Sequence, residues 1–200
     1  MDIEAVSQAK AKLAKAKKAL AAFKAATSIE EAEEAWSDYL LAVSTLYSKL
    51  QQGAKTNGQS QGWFGRKKKE RKDDPLLRYL HYARNSDEHG IERVVATTPH
   101  NTWKGRALKF NERIDVKLQA ADRETGQWGP EIDAVLAGPT LRPVRAHDNR
   151  YSDYCDPPTT HLGSQIIYSD FVDGIAAAAF GYLEQMISEA EELASRAIAK

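Results

Sequence analysis

Reactive side chains are most concentrated between residues 81 and 89, where imidazole, guanidinium, amide and carboxylate groups follow one another closely. Imidazole exchanges protons near neutral pH, and arginine is a permanent cation that suits a phosphate group. His81, Asn85 and His89 recur at intervals of four residues, so on a helix they line one polar stripe. The other charged residues of this segment are Arg84, Asp87 and Glu88. This pattern indicates acid–base chemistry on an anionic substrate.

Other chemistries lack their sequence signatures. The five histidines are scattered, and none has the spacing to a second histidine or to cysteines that is typical of zinc sites. The single Cys155 excludes a disulfide framework within the chain. No nucleophile elbow and no glycine-rich phosphate loop occurs. We therefore expect no metal ion or other cofactor.

A helix must position the reactive segment. Asp74 and Pro75 form a typical start of a helix, and Gly90 is a typical stop. The apolar residues between them predict a buried face, made of Leu76, Leu77, Leu80 and Ala83. The reactive groups therefore lie on the other faces, towards the end of the helix.

The segment Arg84-Asn85-Ser86-Asp87-Glu88-His89 resembles the R-x(4–6)-H signature of the HEPN superfamily, in which a polar residue typically follows the arginine. The resemblance implies an α-helical bundle and a metal-independent endoribonuclease, of the kind found in toxin–antitoxin, phage-defence and RNA-processing systems. It implies catalytic roles for Arg84, Asn85 and His89, and we expect supporting roles for His81, Asp87 and Glu88. Two further arginine–histidine spacings, Arg93 to His100 and Arg142 to His147, fall in stretches that read as extended.

Such a pair suits a cleavage reaction in which a hydroxyl group of the RNA is itself the nucleophile. The 2′-hydroxyl attacks the adjacent phosphorus, histidine transfers protons and arginine stabilises the negative charge of the transition state. The products are a 2′,3′-cyclic phosphate and a 5′-hydroxyl. Residues five apart on a helix point about 140° away from each other, so one motif alone forms a poor site. By resemblance we expect a homodimer with a shared cleft, and an antitoxin protein as a further partner.

A strongly basic run directly precedes the reactive helix. Six of its seven residues are cationic, although the net charge of the chain is zero. They are Arg66, Lys67, Lys68, Lys69, Arg71 and Lys72. The run is either a solvated charge cluster or a phosphate-contacting patch that binds RNA without sequence preference. Both interpretations stay open at this level.

The predicted fold class is α+β, mainly α, in one domain over residues 1–200. Helical periodicity predicts a four-helix, HEPN-like bundle from residues 1–90 and 164–200, with a mobile connector at 53–65. Alternation with a period of two predicts a small antiparallel β insertion over residues 91–163. No apolar window is long enough to span a bilayer, and no signal peptide is evident, so we expect a cytoplasmic protein without membrane contact.

Two other functions fit the sequence. In the first, the chain is a non-catalytic RNA-binding or protein-interaction module, where Arg84 pairs with Asp87 or Glu88 and His89 caps its helix. In the second, the chain binds a small ligand between the sheet and the helices. The candidate pocket walls are then Trp103, Trp128 and Tyr154.

Overall fold

The computed structural model describes residues 1–89, 93–99, 101–148 and 153–198. This part of the chain contains five helices and ten short strands. The helices are α1 (Ile3–Ala25), α2 (Ile29–Ala54), α3 (Gly58–Asp73), α4 (Pro75–His89) and α5 (Val172–Ile198). The strands are β1 (Val95–Thr97), β2 (Thr102–Trp103), β3 (Arg106–Ala107), β4 (Arg113–Leu118), β5 (Ile132–Ala137), β6 (Leu141–Pro143), β7 (Ala146–Asp148), β8 (Asp153–Cys155), β9 (Thr160–His161) and β10 (Ser164–Gln165). The prediction of a mixed, mainly helical α+β protein is confirmed.

Helices α1 and α2 form an antiparallel pair. The side chain of Asp2 caps α1, and that of Ser28 caps α2 by accepting a hydrogen bond from the Glu31 N–H. The Glu31 carboxylate accepts a hydrogen bond from the Thr27 N–H in return, which completes a capping box shifted by one residue. The Asp2 N–H donates to the Gly53 carbonyl at 3.1 Å, so the start of α1 lies beside the end of α2.

Helix α3 corrects the prediction of a mobile connector over residues 53–65. It begins at Gly58, where the Asn57 side chain accepts a hydrogen bond from the Ser60 N–H at 2.9 Å. Trp63, Phe64 and Lys67 form its buried side. The described residues therefore contain five helices where the sequence predicted four. Burial of two aromatic rings stabilises this helix despite its glycine-rich start.

The apolar faces of the helices meet in one core. Helix α5 contributes residues such as Ile175, Ala179, Leu183 and Met186, none of which is exposed. Tyr39 of α2 is buried there, and its hydroxyl donates to the Ala176 carbonyl of α5 at 3.1 Å. None of the described helices is long and apolar enough to cross a membrane.

The described strands form five separate antiparallel pairs, where the sequence predicted one small antiparallel sheet. The pairs are β1–β6, β2–β3, β4–β5, β7–β8 and β9–β10. Alternation over residues 107–121 predicts one long strand, but the chain turns at Asn111, whose φ is +57°. The longest pair joins β4 to β5 from Arg113 opposite Ala137 to Leu118 opposite Ile132.

Candidate functional site

Helix α4 buries the face that the sequence predicted. Leu76, Leu77, Leu80 and Ala83 are all buried. Asp74 precedes the helix, and its carboxylate accepts a hydrogen bond from the Leu77 N–H at 2.9 Å. The helix ends at His89, whose side chain lies outside the described residues, as does Gly90. The polar stripe of α4 is thus held by a well-packed apolar face.

Arg84 is engaged by two neighbours on its own helix. Its Nη2 forms an ion pair with Glu88 Oε2, one turn further on, and its Nη1 donates to Asn85 Oδ1 at 3.3 Å. The side chain is 24% exposed, and its Nε is buried without a hydrogen-bond partner among the described residues. The guanidinium therefore has a fixed position and one unsatisfied donor.

Asn85 connects this arginine to the strand region. Its Nδ2 donates to Asp148 Oδ2 of β7 at 3.0 Å, and Asp148 is only 2% exposed. Asp153 of β8 lies opposite Asp148 in the β7–β8 pair and accepts a hydrogen bond from the Tyr82 hydroxyl at 3.0 Å. The hairpin is thus attached to α4 at two positions, and Arg84, Asn85 and Asp148 form a chain of polar contacts.

His81 lies next to this chain of contacts. Burial lowers its pKa to about 4, and the positive charges of Arg71 and Arg84 contribute, while Asp148 opposes the shift. The imidazole is therefore neutral at physiological pH. Helix α3 contacts α4, so the basic helix packs against the helix that carries the reactive stripe.

Asp87 does not belong to the cluster. Its carboxylate accepts a hydrogen bond from the hydroxyl of Ser37 of α2 at 2.6 Å, so it attaches α4 to α2. Of the six residues predicted for the site, the structure brings Arg84, Asn85 and Glu88 into contact and keeps His81 nearby. His89 is adjacent in sequence, and no contact of its side chain is described.

The basic run divides into a buried and an exposed group, and RNA contact by its six cations stays a prediction. Lys67 is buried, forms ion pairs with Glu70 and Glu189 at 3.2 and 3.0 Å, and lies over the Tyr182 ring. Arg71 lies over the Tyr47 ring, and burial lowers its pKa. The exposed cations are Arg66, Lys68, Lys69 and Lys72.

A second polar cluster, which the sequence did not predict, lies at the start of α4. Asp74 Oδ1 lies 2.9 Å from His161 Nδ1, and Asp74 Oδ2 accepts a hydrogen bond from the Leu162 N–H at 2.7 Å. Burial raises the pKa of Asp74, but these hydrogen bonds and that of Leu77 outweigh it and lower the pKa below its usual range. Asp74 and His161 are 87 positions apart in the sequence, so no local signal indicates this pair.

An exposed aromatic stack lies on the outer face of the β7–β8 pair. The rings of His147 and Tyr154 are stacked with centroids 4.5 Å apart, and Tyr154 is 52% exposed. The Arg145 guanidinium lies 5.8 Å from the centre of the Tyr154 ring. His147 is the neighbour of Asp148, so this stack is one residue away from the Arg84–Asn85–Asp148 contacts.

The three aromatic residues predicted as walls of a ligand pocket belong to different strand pairs. Trp103 belongs to β2–β3, Tyr154 to β7–β8, and Trp128 pairs with Ala121 beyond the end of β4–β5. Trp128 is 70% exposed. This is not the arrangement of a common pocket wall.

The described side chains suit proton transfer and anion binding. No group of three or more histidine, cysteine, aspartate or glutamate residues is placed to hold a metal ion in the described ranges. Comparisons of the chain with protein-family models, with curated proteins and with solved structures gave no significant match. Its function must therefore be argued from its own residues and their geometry.

Proposed function

We propose that the chain is a metal-independent endoribonuclease of HEPN type, in which Arg84, Asn85 and His89 act on an RNA phosphate. The HEPN-like bundle with a β insertion is part of this proposal. The observation that supports it most is the contact of Arg84 with Asn85 and of Asn85 with the buried Asp148. These contacts hold the arginine of the motif and its polar follower at fixed positions, and preorganised charge is what a transition state of this kind requires.

The proposed reaction uses these groups in defined roles. The 2′-oxygen forms a bond to phosphorus, and the bond from phosphorus to the 5′-oxygen breaks. His89 either accepts the proton of the 2′-hydroxyl or donates one to the leaving 5′-oxygen, and water exchanges the other proton. Arg84 stabilises the charge on the non-bridging oxygens, and Asn85 keeps the guanidinium oriented. His81 is neutral at physiological pH and adds no competing positive charge to the site.

Glu88 controls the access of phosphate to Arg84. Its carboxylate forms an ion pair with the terminal nitrogen Nη2 of the Arg84 guanidinium. An RNA phosphate must therefore exchange with this carboxylate before the arginine can bind it. An i,i+4 ion pair at a partly exposed position contributes only about 0.5 kcal/mol, so the exchange costs little.

The exposed cations of α3 and an aromatic stack support single-stranded RNA as the substrate. The exposed cations of α3 offer contacts to the phosphate backbone, and α3 packs against α4. The His147–Tyr154 stack offers a surface on which an unpaired base can stack. A second copy of the chain completes the site, because residues 84 and 89 diverge on one helix.

The test is cleavage of a single-stranded RNA in the presence of EDTA. We expect products with 2′,3′-cyclic phosphate and 5′-hydroxyl ends, and at least a hundredfold loss of rate in Arg84→Ala and His89→Ala. Asp87→Asn is the matched control, because Asp87 contacts Ser37 instead of the cluster. Unchanged cleavage by His89→Ala, or cleavage that requires a metal, contradicts the proposal.

A specific observation also favours a non-catalytic module. Arg84 is already paired with Glu88, and Asn85 attaches α4 to the buried Asp148. If these contacts serve only the fold, Arg84→Ala and Asn85→Ala lower the free energy of unfolding by about 1–3 kcal/mol, and no RNA is cut. Thermal unfolding measured beside the cleavage assay separates the two functions.

A further inference from the structure

Helix α1 carries lysines on both sides of its buried stripe, and the two sides differ in how they are neutralised. Lys10 and Lys17 each follow a buried alanine, so they lie at the same edge of the stripe. Both form ion pairs with α5, Lys10 with Glu191 at 2.6 Å and Lys17 with Glu184. At this edge, an acidic helix packs against α1.

At the opposite edge of the buried stripe, no acidic helix of the described residues pairs with the lysines. Lys12 and Lys15 each precede a buried residue, and Lys18 continues the row. No carboxylate of a described residue lies within ion-pair distance of these three lysines. Lys12, Lys15 and Lys18 therefore lie close together without an acidic partner among the described residues. The lysines at the other edge of α1 are paired.

These lysines line a groove between α1 and α2 with a volume of about 370 Å³. Its floor is apolar and consists of Ala19, Ala22, Leu41 and Ala42. Leu41 is 47% exposed, which is unusual for a leucine in the middle of a long helix that buries its other leucines. Asp38 is the one acidic residue among the residues that line the groove, against three lysines.

The shape of the groove fits a helix. Its lining residues on α1 and on α2 are spaced three or four positions apart, so both rows run along the helix axes. A third helix that lies between two neighbouring helices is a common mode of recognition, in which small residues on the floor allow close approach.

We propose that the α1–α2 groove binds an acidic amphipathic helix of a partner protein. Apolar side chains of this helix cover Leu41 and the alanines, and glutamate or aspartate residues pair with Lys12, Lys15 and Lys18. The partner thus repeats, at this edge of α1, the contact that α5 makes at the other. This proposal does not depend on the proposed ribonuclease activity.

Two other occupants fit the groove less well. A second copy of this chain offers α5 as its acidic helix, but Glu184 and Glu191 of α5 already pair with α1. An RNA backbone matches the lysines, but phosphates gain nothing from the apolar floor, whereas a helix with an apolar face would bury it.

The probe is a synthetic amphipathic peptide of about 18 residues, with leucine and alanine on one face and glutamate on the flanks. Binding to the full-length chain is measured by fluorescence anisotropy at several salt concentrations. We expect affinity that falls with salt, and about a tenfold loss in the triple variant Lys12→Glu, Lys15→Glu, Lys18→Glu. The control changes three other exposed lysines to glutamate, at Lys55, Lys104 and Lys109, and should leave binding within about twofold.

Leu41→Asp is a second variant that leaves the lysines intact, and we expect it to weaken binding by a similar factor. Hydrogen exchange should show peptide-dependent protection over residues 12–22 and 38–45. Equal binding to the triple variant and its control overturns the proposal, and so does equal binding of a scrambled peptide. Displacement of the peptide by single-stranded RNA, or self-association that the triple variant abolishes, assigns the groove to another occupant and also overturns it.

Discussion

Arg84 is the side chain on which the proposed chemistry depends, and its environment determines how strongly it can bind a phosphate. Two of its nitrogens are engaged by Glu88 and Asn85, and its Nε is buried without a partner among the described residues. An arginine with a pre-set orientation loses less conformational entropy when it binds an anion. The same contacts reduce the positive charge that a distant phosphate experiences.

Glu88→Gln should strengthen RNA binding, because it removes the negative charge that competes for Arg84. We expect an increase of about two- to tenfold in affinity at low salt, measured with a labelled single-stranded RNA. The free energy of unfolding should fall by less than about 1 kcal/mol. Glu192→Gln is the matched control, since Glu192 forms an i,i+4 ion pair with Arg196 near the end of α5. Equal RNA affinities of the two variants count against a phosphate site at Arg84.

Because of His81, the free energy of unfolding should depend on pH between about 4 and 6.5. Its pKa is about 4 in the folded chain and 6.5 without the fold, so between these values the unfolded chain binds more protons. The stabilising contribution is fully present above pH 6.5 and is lost as the pH falls towards 4. Each pKa unit corresponds to about 1.4 kcal/mol, so the loss is up to roughly 3 kcal/mol, less the part that solvent screens.

His81→Gln should therefore flatten the curve of unfolding free energy against pH between 6.5 and 4. Urea unfolding at a series of pH values measures this curve for both proteins. Carboxylates titrate in the same range in both, so the difference between the curves isolates the imidazole. Parallel curves through this window would show that His81 is not buried beside Arg71 and Arg84.

At the level of elements, Asp74 links helix α4 to the β9–β10 pair. It caps the helix through the Leu77 N–H and also binds His161 and the Leu162 N–H. Asp74→Ala should lower the free energy of unfolding by about 2–4 kcal/mol, because it removes a cap and leaves buried donors unpaired. The neighbouring Asp73 is exposed, and Asp73→Ala should change stability by less than about 0.5 kcal/mol. Chemical denaturation compares them, and similar losses would mean that Asp74 has no special role.

The glycines of α2 and α3 should respond in opposite directions to alanine. A Cβ on Gly53 would lie 2.6 Å from the Cβ of Ala5, so Gly53→Ala should force α1 away from α2 and cost about 1–3 kcal/mol. A Cβ on Gly62 meets nothing within 4 Å, so Gly62→Ala should stabilise α3 by up to about 1 kcal/mol. Thermal unfolding of both variants checks the signs. A stabilised Gly53→Ala would contradict the close approach of α1 and α2.

Sequence periodicity predicted the helices whose apolar stripes and caps lie within their own segment of the chain. Helices α1, α2, α4 and α5 follow from apolar stripes and caps such as Ser28 and Asp74. Helix α3 was missed because Gly58, Gly62 and Gly65 are typical of a linker, and its buried stripe depends on contacts with α5, such as the hydrogen bond from Trp63 to Glu189. Asp148 and His161 could not be predicted as site residues, because their partners are 63 and 87 residues away.

For the whole molecule, the ribonuclease proposal requires two chains per site. Cleavage activity per chain should therefore fall when the protein is diluted below the dissociation constant of the dimer. Analytical ultracentrifugation over the same concentration range measures the dimer independently, and the two midpoints should agree. Activity per chain that stays constant while the dimer dissociates would mean that one chain contains a complete site.

Because the strand region consists of five separate pairs, its parts should unfold locally in a defined order. An isolated hairpin has few partners beyond its own two strands, whereas α1 and α2 share a large buried surface. Amide hydrogens should therefore exchange in a graded series. Those of β4–β5 exchange early, through local opening that leaves the helices intact, those of the α4-bound β7–β8 pair follow, and those of α1 and α2 wait for global unfolding. No described strand belongs to two pairs, so a change in β2–β3, β4–β5, β7–β8 or β9–β10, in evolution as in thermal motion, can leave the register of the other pairs intact.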